Sequence, residues 1–193
     1  MNAGIDRALL GWPFVGLPLM ALLGMGVRDG ATPVDAWMQQ ARGGPLGTLL
    51  MFTDYRTTQT LLAATVAVAL FRKLWALVPL ALLTPAVGVL SAETLKPIFG
   101  RLKGEALAYP SGHTTAMVIA VGMLILAVGI RRWFVWAAIV FAALGILGQA
   151  VTYHYFTDAL GAVLLGTSLV CIAAVALRWA HRRTRQVLRG LWV

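Results

Sequence analysis

The sequence predicts an all-α integral membrane protein, built as a bundle of six transmembrane helices. Hydrophobic residues make up 60% of the 193-residue chain, charged residues make up only 12%, and the mean hydropathy is +0.81. A soluble domain needs less apolar sequence than this to fill one core. No repeat or low-complexity linker divides the chain, so residues 1–193 are interpreted as one domain.

Six apolar segments are separated by polar or charged residues: 8–27, 59–71, 74–95, 113–130, 133–152 and 159–180. Because hydrocarbon offers no water to open backbone groups, we expect all of them to be helices. The first follows an early arginine, as in a signal peptide, but its length of 20 residues predicts a span. The second has only 13 residues, so it begins earlier, near Leu49, or neighbouring helices cover its ends.

The charges between the segments predict how the chain is oriented. When the connecting segments alternate between two sides, ten cations and one acid fall on one side, and six cations and six acids on the other. The net charge of +9 therefore lies on one face, which the positive-inside rule assigns to the cytoplasm with both termini. We expect a multi-pass protein of a bacterial inner membrane, in contact with membrane lipids and not with nucleic acid. The basic stretch 178–189 is a contact for anionic lipids or a stop-transfer flank.

Two features of the remaining sequence complete the predicted architecture. Val34, Trp37 and Met38 recur at helical spacing in the segment that joins the first two spans, which predicts a short amphipathic helix on the outer surface. Cys171 is the only cysteine and lies in an apolar run, so we expect it to pack and not to form an intrachain disulfide. The oligomeric state is left open.

Three outward segments, 96–103, 109–113 and 154–158, hold an unusual density of polar groups for so apolar a chain, and the predicted topology lets them meet. The first carries three cations within eight residues: Lys96, Arg101 and Lys103. Like charges this close are unfavourable without an anion among them, so we expect a phosphate or diphosphate headgroup there. The alternative is that each cation separately reaches the membrane interface.

The second segment ends at the start of an apolar helix. Ser111 is well placed as its N-cap, and the free N–H groups of the first turn, at the positive end of the helix dipole, favour an anion. Gly112 lets the backbone approach closely. Ordinary helix capping is the alternative interpretation.

The histidines point to catalysis. His113 and His154 lie at the outer ends of predicted spans, whereas His181 lies in the basic C-terminal stretch, where we expect it to be solvated. An imidazole beside the bilayer is costly without a partner. Asp158 follows His154 by four residues, on the same face of a helical turn, and a carboxylate bonded to one ring nitrogen makes the other a better nucleophile. Asp158 is otherwise the N-cap of the last helix.

Together these residues resemble the type 2 phosphatidic acid phosphatase family, membrane lipid phosphatases that share their core with vanadium haloperoxidases. The family pattern is Lys, six residues, Arg-Pro; then Pro-Ser-Gly-His; then Ser-Arg, five residues, His, three residues, Asp. Lys96 matches the first motif, residues 110–113 match the second in full, and His154 and Asp158 match the end of the third. The resemblance covers about residues 59–180.

The sequence departs from the family pattern at two places. Lys103 and Gly104 stand where the first motif has Arg-Pro, which keeps a cation but loses the paired hydrogen bonds of arginine. Leu147 and Gly148 stand where the third motif has Ser-Arg, so a phosphate-binding arginine is missing, and Gln149 is the nearest polar substitute.

The resemblance implies metal-independent hydrolysis of a lipid phosphate or diphosphate at the extracytoplasmic face. His154 would form a phosphohistidine, Asp158 would orient it, and His113 would protonate the leaving oxygen and then activate water. The phosphoryl oxygens would be held by a set of cations and helix-start groups: Lys96, Arg101, Lys103, Ser111 and Gly112. We expect no cofactor and no metal, because the carboxylates and histidines form no ligand cluster in the sequence.

The expected substrate is an amphiphile, since the site lies where a lipid reaches it from the membrane. Candidates are a polyprenyl phosphate or diphosphate, phosphatidylglycerol phosphate, phosphatidate and a glycolipid phosphate. Two alternatives stay open. One is a phosphotransferase with an acceptor pocket from residues 28–58, and the other is a non-catalytic lipid-phosphate binder or transporter, which the missing arginine at position 148 would favour.

Overall fold

The computed structural model describes residues 3–190, without the side chains of residues 3, 5, 6, 181 and 183–190. Asp6, His181, Arg183, Arg185 and Arg189, which entered the predicted topology, therefore lie outside the described side chains. The described chain forms seven α-helices, one 3-10 helix and one hairpin: α1 (Ala3–Gly26), α2 (Pro33–Gln39), the 3-10 helix (Pro45–Phe52), α3 (Tyr55–Phe71), α4 (Leu77–Phe99), β1 (Leu102–Lys103), β2 (Ala106–Leu107), α5 (Gly112–Val128), α6 (Arg132–Ala150) and α7 (Phe156–Gly190). The predicted all-α class is confirmed.

Among the described residues, four helices are long and apolar enough to cross a membrane: Arg7–Gly26 of α1, all of α4, all of α6, and Phe156–Ala180 of α7. Large apolar side chains such as Phe14, Leu22 and Leu90 are exposed on these helices. Contiguous apolar surface of this kind is rare on soluble monomers. The helices therefore indicate a multi-pass membrane protein.

Helices α3 and α5 are shorter, with 17 residues each. At 1.5 Å per residue each is roughly 25 Å long, less than the roughly 30 Å of a bilayer core. Helix α3 does not begin near Leu49, because residues 45–52 form the 3-10 helix and Asp54 caps α3 by accepting the Arg56 N–H at 2.8 Å. Helix α5 packs against α3, α4 and α7, so protein surrounds it and its length is not set by lipid alone.

Close contacts between helices set the position of α7. Gly161 leaves no room for a Cβ beside the ring of Tyr109, and a Cβ on Gly166 would lie 2.8 Å from Val118 Cγ1. The Tyr109 ring also packs edge-on against Phe99, with 5.0 Å between centroids. These contacts bring the first turn of α7 against the segment that leads into α5.

The polar segments meet at one end of the bundle, where α4 and α6 end and α5 and α7 begin. The Ser111 N–H donates to the Asp158 carbonyl at 3.3 Å. Lys103 Nζ, on the hairpin, donates to the carbonyls of Thr152 at 3.0 Å and His154 at 2.7 Å. The segments 96–103, 109–113 and 154–158 thus form one cluster.

The short helix predicted between the first two spans is α2. Thr32 and Asp35 form a capping box at its start, and Val34 and Trp37 are exposed, as a helix on the membrane surface requires. Asp35 is fully buried, however, so α2 also faces inward with a charged side chain.

Candidate active site

His154 and Asp158 face each other at the start of α7, but not from one helix face as the spacing predicted, because His154 lies in a bend two residues before α7 begins. His154 Nδ1 lies 3.5 Å from Asp158 Oδ2, longer than an ordinary hydrogen bond, and this buried nitrogen has no hydrogen-bond partner among the described residues. Asp158 is not the N-cap of the last helix, because α7 begins at Phe156 and Asp158 lies within its first turn, where Oδ2 accepts the Tyr155 N–H at 2.8 Å. The carboxylate is therefore fixed by its own helix while it faces the imidazole.

Arg101 is fully buried behind Asp158, and both of its terminal nitrogens are engaged. Nη1 donates to Asp158 Oδ1 at 2.5 Å and Thr157 Oγ1 at 2.6 Å. Nη2 donates to Asp35 Oδ2 at 2.7 Å and to the Gly30 carbonyl at 2.8 Å. A phosphoryl group would have to displace a carboxylate to reach these nitrogens. Arg101 thus holds Asp158 in this structure, and its predicted contact with a phosphate stays a prediction.

Asp35 is a member of the cluster that the sequence motifs do not include. Its carboxylate accepts hydrogen bonds from the backbone N–H of Thr157 at 3.0 Å and from the Thr157 hydroxyl at 2.8 Å. It also accepts the backbone N–H of Thr32 at 3.0 Å and the Thr32 hydroxyl at 2.8 Å. Burial by itself raises the pKa of Asp35, but the hydrogen bonds from Thr157 and Thr32 outweigh it and hold the pKa below its usual value. Asp35 is therefore an anion at the centre of the cluster. The Thr32-x-x-Asp35 pattern predicts the start of a helix. It does not predict that Asp35 is buried against Arg101 and Thr157.

Lys103 and Arg101 both contact the ring of Tyr155. Lys103 Nζ lies 4.9 Å from the ring centroid and Arg101 Cζ lies 4.5 Å from it, within the range of a cation–π interaction. Burial, followed by the positive charge of Arg42, lowers the pKa of Lys103 to about 8. Lys103 is therefore held beside Tyr155 and the backbone of His154, with a weakened hold on its proton.

Lys96 and the start of α5 share an acidic neighbour, Glu93. Lys96 Nζ lies 2.7 Å from Glu93 Oε1, and a Cβ on Gly112 would lie 3.0 Å from the same oxygen. Gly112 thus allows the carboxylate to approach the helix start. Ser111 Oγ is buried and accepts the Thr114 N–H at 3.4 Å, so Ser111 acts as an N-cap. An anion bound here would compete with Glu93 for Lys96.

His113 is exposed and lines a cavity of about 240 Å³. It follows Ser111 by two residues, and the Ser111 backbone is bonded to Asp158, so His113 belongs to the same end of the bundle. Hydroxyl and carboxylate side chains share the cavity wall, among them Thr53, Thr58 and Glu93. No sequence pattern indicated that Thr53 and Thr58 belong to the site, because they lie outside the motifs.

Gly148 does not face this cavity. A Cβ at this position would lie 2.5 Å from the carbonyl carbon of Leu49 and 2.6 Å from the nitrogen of Leu50. The 3-10 helix therefore occupies the space beside position 148, where the family pattern has arginine. Gln149, the suggested polar substitute, is buried and donates from Nε2 to Thr53 Oγ1 at 2.7 Å, which ties α6 to the 3-10 segment.

Across the described residues, no group of three or more His, Cys, Asp or Glu side chains is arranged to hold a metal ion. Comparison with models of protein families finds no match to this chain, and comparisons with curated proteins and with solved structures also find none. The chemistry of the site itself therefore carries the functional proposal.

Proposed function

We propose that this chain is a six-span membrane phosphatase that hydrolyses a lipid phosphate or diphosphate at the extracytoplasmic face. The observation that carries the proposal is the pair His154 and Asp158, with Nδ1 3.5 Å from a buried carboxylate oxygen. A carboxylate on this side of the ring favours the proton on Nδ1 and leaves Nε2 as a nucleophile. The pair, the match of residues 110–113 and the nearby lysines support the resemblance to type 2 phosphatidic acid phosphatases.

In the proposed reaction, His154 Nε2 attacks phosphorus, and a P–N bond forms while the P–O bond to the lipid breaks. His113 gives its proton to the leaving oxygen. Water then attacks the phosphohistidine, His113 takes a proton from it, and inorganic phosphate leaves. Asp158 stabilises the positive charge on the His154 ring, as the carboxylate does in a serine protease triad.

Lys96 and Lys103 neutralise the phosphoryl oxygens in this scheme. Preorganised cations at a site sheltered from water stabilise the charge of the transition state strongly. Arg101 contributes indirectly, because its hydrogen bond to Asp158 Oδ1 fixes the carboxylate that orients His154. The Ser111 cap and Gly112 keep the start of α5 close to these groups.

The proposed topology adds α3 and α5 to the four longer helices as further spans, with both termini cytoplasmic. The distribution of charge supports it, since one set of connecting segments carries the whole net charge of +9. An aliphatic groove of about 450 Å³ lies between α5, α6 and α7. It begins at Val118 on α5 and Val163 on α7 and continues along these helices, away from the end that carries the site. These residues lie five positions beyond His113 and Asp158, so a lipid chain in the groove would extend from the site. We expect the protein in a bacterial inner membrane.

Phosphate release in detergent tests the proposal. The panel consists of a polyprenyl phosphate and diphosphate, phosphatidylglycerol phosphate, phosphatidate and a glycolipid phosphate. Wild type is expected to release phosphate from at least one of them, and His154→Ala is expected to lose this activity by several orders of magnitude. His181→Ala, at the histidine of the basic C-terminal stretch, is the matched control and should keep it. Binding without release by wild type would contradict hydrolysis and favour a lipid-phosphate binder.

A phosphotransferase is the second candidate, favoured by the cavity beside His113, to which Thr53, Tyr55 and Thr58 contribute. An acceptor hydroxyl bound there would take the place of water in the second step. Phosphate release without any added acceptor would argue against it.

A further inference from the structure

A cavity of about 240 Å³ opens beside His113, between the start of α3, the outer half of α4 and the start of α5. Small or aliphatic residues form part of the wall. The other wall residues bear hydroxyl, phenol, amide, carboxylate and imidazole groups: Thr53, Tyr55, Thr58, Gln59, Glu93 and His113. Ligand pockets typically combine an apolar surface with a few polar groups that fix orientation. The volume suits one headgroup and not a whole lipid.

One polar atom on this wall, Thr58 Oγ1, is buried without a hydrogen-bond partner in the part of the chain that the structure describes. A second wall hydroxyl, that of Thr53, accepts the Gln149 amide at 2.7 Å. Native proteins leave few buried polar groups unpaired. A hydroxyl-bearing ligand both donates and accepts, so it would supply the partner that Thr58 lacks.

The charges at the cavity favour an uncharged ligand. Glu93 is the only acidic residue among the described residues of the wall, and it is paired with Lys96 at 2.7 Å. Lys103, which contacts the His154 backbone, is not part of the wall. The phosphoryl group is therefore best placed near the lysines, and the cavity is left for a neutral group attached to it.

We propose that this cavity is a subsite for an uncharged, hydroxyl-bearing headgroup, as in a lipid whose phosphate is carried by glycerol or by a sugar. The inference rests on the proposed function, in which His113 protonates the leaving oxygen, so the group that carries this oxygen lies on the His113 side. Glycerol and sugars supply hydroxyls for Thr58 and its neighbours. A polyprenyl phosphate offers only hydrocarbon beyond its phosphate and leaves Thr58 Oγ1 unpaired.

The test uses ratios of kcat/KM values. Two ratios are measured. One divides kcat/KM for phosphatidylglycerol phosphate by kcat/KM for a polyprenyl phosphate. The other divides kcat/KM for a lipid-linked sugar 1-phosphate by the same value. Wild type is expected to prefer at least one hydroxyl-bearing substrate, and Thr58→Val should lower that ratio about tenfold, the factor for one lost hydrogen bond. Comparing the two ratios shows whether the cavity prefers a glycerol or a sugar headgroup. A wild-type ratio near one, or a ratio that Thr58→Val leaves unchanged, overturns the proposal.

Thr65→Val is the matched control, because Thr65 is buried on the same helix, outside the cavity, and its hydroxyl donates to the Leu61 carbonyl at 2.8 Å. It should keep the wild-type ratio. Gln59→Met, at an exposed position on the wall, is the second variant if Thr58→Val does not fold, and it should lower the ratio in the same direction.

Ligand binding to His154→Ala separates this proposal from the proposed hydrolysis. The same lipids are added to the purified variant in detergent, and protection against thermal unfolding is measured. If no lipid phosphate is hydrolysed by wild type, hydrolysis fails. The subsite still stands if a hydroxyl-bearing lipid protects His154→Ala better than polyprenyl phosphate and Thr58→Val removes the difference. Equal protection by all of the lipids overturns it.

Discussion

Asp35 Oδ2 lies 2.7 Å from Arg101 Nη2, and both side chains are fully buried at the end of the bundle where α5 and α7 begin. Arg101 also bonds Asp158 at 2.5 Å, so one guanidinium is shared by two carboxylates from α2 and α7. Helix α2 is thereby tied to the carboxylate that faces His154. Each charge is buried only because the other two are present.

Removing Asp35 should therefore destabilise the protein. Asp35→Ala leaves Arg101 with one carboxylate and takes away the acceptor of four hydrogen bonds from Thr32 and Thr157. Breaking a buried ion pair costs about 3 kcal/mol or more. The free energy of unfolding in detergent should fall by about this amount. Asp29→Ala, at an exposed carboxylate six residues earlier, is the control and should leave the stability unchanged. Equal stability of both variants would contradict the account of Asp35.

The lowered pKa of Lys103 predicts a pH limit on activity. Below about pH 8 the ammonium is charged and would attract the phosphoryl oxygens of the proposed substrate, and above this value it becomes neutral. Phosphate release should therefore decline as the pH rises above 8, with an increase in KM. Lys103→Arg, whose guanidinium stays protonated, should extend activity to higher pH.

The decline should not arise from unfolding. The folded-state pKa of Lys103 is about 8 and its ordinary value is 10.5, so the proton is bound more weakly in the folded protein. The contribution of Lys103 to stability is thus fully present above pH 10.5 and is lost as the pH falls through 8. Melting temperatures measured beside the rates separate the two effects. A fall in melting temperature that parallels the loss of activity would rule out this explanation.

Placing an arginine at position 148, as in the pattern of type 2 phosphatidic acid phosphatases, should not improve phosphate binding. Because the backbone of Leu49 and Leu50 lies 2.5 to 2.7 Å from the site of a Cβ, even Gly148→Ala requires the 3-10 helix to move. Gly148→Arg should lower the melting temperature without tightening phosphate binding. Gly11→Ala, in a helix with nothing within 4 Å of the added Cβ, is the control and should leave both unchanged. Tighter phosphate binding by a stable Gly148→Arg would show that the position faces the site after all.

Chelation should leave phosphate release intact. In the proposed reaction His154, His113 and the lysines supply the nucleophile, the acid and the positive charge. Rates are compared before and after treatment with EDTA and removal of the chelate. Loss of activity that added Mg²⁺ or Zn²⁺ restores would contradict the reaction as written.

The sequence predicted the helices well and their lengths less well. Apolar runs mark the bodies of helices, because burial and lipid both select apolar side chains. They do not mark ends, which depend on caps such as Asp54, where α3 begins. The paired strands Leu102–Lys103 and Ala106–Leu107 had no local signal either, since each is too short for an alternating pattern.

In the site, too, contacts between residues near in sequence could be predicted and contacts between distant residues could not. The spacing of His154 and Asp158 correctly predicts that the two side chains are close, because residues four apart are neighbours on a helix. The predicted shared helix face is wrong, because His154 lies in a bend before α7. Asp35 was not predicted, because its partner Arg101 lies 66 residues away and a pair at that distance leaves no periodic pattern. The sequence shows glycine in place of arginine at position 148. It does not show that the backbone of Leu49 and Leu50 fills the space beside this glycine.

Trapping a phosphorylated form of the protein tests the proposed phosphohistidine at residue 154. Wild type, His154→Ala and His113→Ala are mixed with a ³²P-labelled lipid phosphate that wild type hydrolyses, quenched in base, and assayed for protein-bound phosphate that is stable to base and labile to acid. We expect label on wild type at residue 154, more label on His113→Ala if hydrolysis of the intermediate becomes limiting, and none on His154→Ala. Undiminished phosphate release by His154→Ala, or base-stable label at another residue, would contradict the proposal.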